Sequence, residues 1–151
     1  MEVTPTPVTE DVMRTLAAFA IAMVLASAAS GSERRYFPDS AKYACLDATK
    51  AAESYIAALS STNKGVVESA LAHVAMIKLT MPDCEMRSVK ASVTAIERNG
   101  MTAEVRYKAW VVRTLMEKPD LFAGLAKAGY EEPDELFGTL ASKMAEHYAA
   151  N

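Results

Sequence analysis

Residues Glu85–Thr114 read EMRSVKASVTAIERNGMTAEVRYKAWVVRT, and the fold class turns on them. Thr102 to Ala109 alternates polar and apolar at every step, the period of a strand with one buried face. Val89, Ala91, Val93 and Ala95 alternate in the same way, and Asn99-Gly100 between the two runs is a strong hairpin signal. A two-residue Asn99-Gly100 turn sets Val93 against Arg106 and mixes charge into the apolar face. A three-residue turn, Arg98-Asn99-Gly100, sets Ala95 against Ala103, Val93 against Val105, Ala91 against Tyr107 and Val89 against Ala109. The longer turn makes one face wholly apolar, with Gly100 in the left-handed position of a bulged turn. It also leaves Lys90 opposite Lys108, a small like-charge cost. The same residues carry a competing helical period. Val89, Val93 and Ile96 recur at three and four, as do Val105, Ala109, Val112 and Met116. A lone hairpin is marginal, so the strand reading asks for a third strand, which Met76–Met81 (MIKLTM) can supply.

Outward from this segment the pattern is helical. Ala41, Cys45, Ala48, Ala52, Tyr55, Ile56 and Leu59 form an amphipathic stripe, opened by Asp39 or Ser40 as N-cap. Thr62 or Asn63 caps a second helix, with Val67, Ala70, Leu71, Val74 and Ile77 inward and His73 beside them. Pro119-Asp120 starts a short helix with Leu121, Phe122 and Leu125 inward and Gly129 as its stop, after which Tyr130 packs back. Pro133-Asp134 starts the last one, with Leu136, Phe137, Leu140, Met144 and Tyr148 inward. His147 sits near its C-terminus, where the helix dipole favours a cation. The expected fold is α+β: two N-terminal helices, a short antiparallel sheet built on the 86–97/101–113 hairpin, and two C-terminal helices. The alternative is an all-α helical bundle.

The N-terminal segment points to export. Thr15–Ser32 (TLAAFAIAMVLASAASGS) is eighteen uncharged residues following Arg14 and ending in small side chains, the order of a secretory signal cleaved after Ala28 or Ala29. Residues 1–12 carry Glu2, Glu10 and Asp11 and no base, which fits Met13 as the natural start. The expectation is a leader over 1–28 and one small domain over 29–151. The alternative is an uncleaved membrane anchor over 15–32, since eighteen helical residues reach about 27 Å. Export places the chain in the periplasm or outside the cell and makes a disulfide between Cys45 and Cys84 the natural pairing, closing a loop worth about 4 kcal/mol.

Of the 151 residues, 51% are hydrophobic and 23% charged, and the net charge is −3. That excludes a disordered tail and a basic nucleic-acid binder. No catalytic or phosphate-binding motif occurs, so the expectation is a non-catalytic exported domain acting by binding, with no cofactor and no metal. A protein partner or self-association is the expected engagement, with Tyr107 and Trp110 at a sheet edge as the candidate surface. No nucleic acid is expected, and a membrane only through residues 15–32.

The order of amphipathic helices followed by IERNGMTAEVRY (Ile96–Tyr107) resembles small exported domains of the cystatin-like and nuclear transport factor 2-like kind, over roughly residues 40–112. That resemblance implies a helix wrapped by a curved sheet, with a small-molecule or enzymatic pocket. This chain ends in helices where such domains have further strands, and no functional residue carries over.

Overall fold

A computed structural model describes Tyr36, Phe37 and residues 48–150, all within one compact unit that begins at Arg35. The expected leader, the residues expected to open the first helix and Cys45 lie outside the described residues. Among the described residues are five α-helices: α1 (Ala48–Leu59), α2 (Lys64–Thr80), α3 (Arg87–Asn99), α4 (Ala103–Glu117) and α5 (Pro133–Ala149). Two 3-10 turns, Pro119–Phe122 and Leu125–Lys127, join α4 to α5.

No strand or sheet occurs among the described residues, and the α+β expectation is overturned. The segment 86–113 forms two antiparallel helices, and Met76–Thr80 is the last turn of α2 rather than a third strand. The cystatin-like comparison fails with the sheet. The helical bundle is correct for a physical reason. Both periods place Val89, Val93, Val105 and Ala109 inward, but only the helix also buries Lys108, Val112 and Thr114, which alternation puts on the opposite face. A helix further satisfies every internal backbone group locally, whereas two strands leave open edges. The charged residues then find partners. Arg113 bonds Glu97 across the helix pair through Nε and, at 3.1 Å, through Nη2, and Glu117 one turn on at 2.6 Å. Lys90 meets Glu117 at 3.2 Å. The Lys90–Lys108 opposition of the strand register disappears.

Caps set the boundaries. The Asn63 side chain accepts from the amides of Gly65 (2.9 Å) and Val66 (3.4 Å), and the Thr102 hydroxyl accepts from Val105 at 3.1 Å. Each satisfies amides that have no partner inside the helix. Gly100 is extended, with φ −59° and ψ 149°, so the expected left-handed turn residue is also corrected. Its role is close approach: a Cβ there would lie 2.6 Å from the Ile96 carbonyl oxygen.

Helices α1–α2, α2–α4, α4–α3 and α3–α1 pack in a ring, and α5 with the 3-10 turns covers α2 and α4 from the other side. α2 therefore lies between two layers, and Val67, Leu71, Ala72, Val74, Ala75 and Ile77 on several of its faces are all buried. That accounts for its having little polar face. Among the described residues, the left-handed backbone is at Gly124 (φ 86°) and Gly129 (φ 64°). After Gly129, Tyr130 turns back, buries its ring and donates its hydroxyl to the Leu125 carbonyl at 3.1 Å, as the sequence leads one to expect. In α5, Leu136, Phe137, Leu140 and Met144 are buried as expected. Tyr148 is instead half exposed, beneath Lys118 at 5.7 Å.

Candidate functional site

Tyr107 and Trp110 do come together, but on α4 and not at a sheet edge. Their rings lie 5.7 Å apart, one helical turn separating them. Tyr107 is 48% exposed, while Trp110 packs partly against the core. Cys84 follows the turn that ends α2; its amide donates to Met81 at 3.0 Å and its carbonyl accepts from the buried Lys78 ammonium at 3.1 Å. Its partner in the proposed disulfide, Cys45, lies outside the described residues.

The buried charges are structural ties. Lys108 sits where α2, α4 and α5 meet, hydrogen-bonded to Glu68 (3.0 Å), Glu104 (3.1 Å) and Asp134 (3.2 Å), with the Phe137 ring 5.5 Å away. Burial opposes its charge, but the three carboxylates outweigh that, and its pKa is raised. Lys64 adds a bond to Glu104 at 2.6 Å, and the two cations hold that carboxyl below its usual range. Two cations here face three carboxylates, and each of the five side chains has an ion-pair partner.

A different picture holds at the end of the bundle where α1 and α3 finish and α2 and α4 begin. A cleft of about 530 Å³ opens there. Its apolar lining is Leu59, Val67, Ala95, Ile96, Met101 and Val105. Ser60, Ser61, Thr62, Ser92 and Asn99 supply its polar atoms, and Gly100 completes it. No titratable side chain is among them. Ser60 Oγ donates to the Ile56 carbonyl at 2.8 Å, and Ser61 Oγ accepts from the Asn63 amide at 3.1 Å. The cleft has the size of a ligand site and mostly apolar walls with a few convergent polar groups.

Comparison with protein-family models, with curated proteins and with solved structures finds no match to this chain. The chemistry of the site therefore has to be read from its own residues. Among the described residues, no group of three or more His, Cys, Asp or Glu side chains could hold a metal ion, and no helix is long and apolar enough to cross a membrane. Sequence reading missed the cleft. Its two polar segments, Ser60-Ser61-Thr62 and Asn99-Gly100, stand out only as breaks in periodicity. That they meet follows from the direction of the four helices, which the strand reading had removed.

At the outer side of α2, His73 stacks on Tyr36 (5.4 Å, 11° between planes) and meets Phe37 edge-on at 5.5 Å. Phe37 is buried, so this pair anchors the start of the domain. Burial lowers the His73 pKa.

Proposed function

We propose that this chain is a small non-catalytic helical domain, exported from the cell that makes it, which acts by binding a mostly apolar small molecule in the cleft between α1 and α3. The observation that carries this reading is the lining itself. It offers apolar walls and hydroxyls with no acid, base or activated nucleophile, which suits retention and not bond-making. Export is supported by the arginine, apolar run and small-residue ending over Arg14–Ala29.

The cleft is tested with Nile red, an uncharged dye that brightens in apolar surroundings. Emission is expected to rise with the full chain, to be lost in Ala95→Trp and to persist in Tyr107→Ser. Persistence in the first variant, or no rise at all, overturns the proposal. Intact mass of the protein from its native source, with and without reductant, tests export: an N-terminus after Ala28 or Ala29 and a Cys45–Cys84 link are expected. A retained Met1 with two free thiols contradicts it. A second reading is contact with a protein partner or a second copy through Tyr107 and Trp110, favoured by the half-exposed Tyr107 ring paired with Trp110. Loss of partner binding in Tyr107→Ser with dye binding intact is its signature.

A further inference from the structure

We propose that the occupant of the cleft is an uncharged amphiphile: an apolar chain or ring bearing one neutral head group, a hydroxyl or primary amide, that both donates and accepts a hydrogen bond. The inference rests on the binding reading above and adds the chemical class of the ligand.

Three observations converge on it. The first is charge. A carboxylate or ammonium entering the cleft would meet no counter-charge among the lining residues. Two of the nearby charges, those of Lys64 and Glu97, are paired away from the lining. Lys64 is held by Glu104 and Glu68. Arg106 donates to the Gly100 carbonyl at 2.9 Å, and Glu97 is held by Arg113. The second is the helix dipoles. The C-termini of α1 and α3 and the N-termini of α2 and α4 share this end of the bundle. Two partial negative and two partial positive poles side by side leave little net field to select an ion. The third is the polar rim. Ser60 Oγ has given its proton to Ile56, so it faces a ligand as an acceptor. Ser61 Oγ already accepts from Asn63, so its proton remains to donate. The Asn99 amide offers both kinds of group. A head group that is donor and acceptor at once matches this rim. The apolar remainder lies against Leu59, Val67, Ile96 and Val105, which shield it from water.

The test compares three ligands that share one alkyl chain: decanol, decanoate and decylammonium, titrated into the full chain by calorimetry below their aggregation concentrations. Decanol is expected to bind at one site, tighter than either ion by about tenfold or more, the ratio that about 1.4 kcal/mol of unreturned charge solvation produces. Ala95→Trp, which fills the cleft from α3, is expected to abolish this binding. Ala91→Trp, one turn away on the same helix and outside the lining, is expected to leave it unchanged. Ser92→Phe repeats the block if Ala95→Trp fails to give a helical circular dichroism spectrum. Equal or tighter binding of decanoate or decylammonium, lost in the blocked variants, overturns the neutral-head assignment and leaves the binding reading standing. Decanol binding that survives both blocked variants, or no binding of any of the three, overturns both.

Discussion

Gly100 has an extended backbone that any residue adopts, yet it has no room for a side chain. The atom in the way is the Ile96 carbonyl oxygen, part of the helix backbone, so it cannot swing aside. Gly100→Ala is expected to destabilise the chain by about 1–3 kcal/mol, the usual cost of forcing extra bulk into a packed site, measured by urea denaturation. A change within a few tenths of a kcal/mol would contradict the close approach. His73 provides a second prediction at this scale. Burial pushes its pKa below the ordinary value of 6.5, so the fold favours the neutral ring. Its contribution is fully present above pH 6.5 and is lost as pH falls through that value toward the lowered one. His73→Phe keeps a ring against Tyr36 and removes the titration. Thermal stability of the parent is expected to fall across mildly acidic pH, and that slope is expected to flatten in the variant. An unchanged slope would place the titrating group elsewhere.

Between elements, the two readings of Glu85–Thr114 assign Arg113 different partners. The hairpin register that aligns the valines puts Arg113 opposite Glu85, whereas the helix pair puts it on Glu97. A double-mutant cycle of Arg113→Met and Glu97→Gln is expected to give a coupling of about 1–2 kcal/mol, between the values for exposed and buried pairs, because both side chains are about a quarter exposed. The corresponding cycle with Glu85→Gln is expected to give none. The reverse result would restore the strands. The sequence carried the information that decides this. Glu104–Lys108 and Arg113–Glu117 are each four apart, the first with the acid on the N-terminal side, and alternation alone does not explain that spacing. What misleads is alanine. Ala91, Ala95 and Ala103 fit an apolar strand face as readily as an exposed helix surface, and here Ala91, Ala95 and Ala103 are exposed. The helices on either side were legible because caps and glycines mark them. Asn63, Pro133 and Gly129 each act where their chemistry predicts.

For the domain as a whole, layering explains both its core and its cleft. α2 and α4 run in the same direction between α1 with α3 on one side and α5 on the other. The bonds from Lys108 fasten the three elements α2, α4 and α5 at one end of this arrangement. Where α1 and α3 finish, small residues such as Ser60, Ser61, Ser92 and Ala95 leave a hollow instead of closing it. Composition does not reveal such a hollow, because the same small residues also suit solvent-facing turns. The central claim is that this hollow is where the molecule binds. The most direct measurement is a two-dimensional amide NMR titration of the full chain with decanol. The account predicts saturable shifts confined to residues 59–62, 67, 92–101 and 105, with Tyr107, Trp110 and Lys108 unmoved. Shifts centred on Tyr107 and Trp110, or none at saturation, would contradict it.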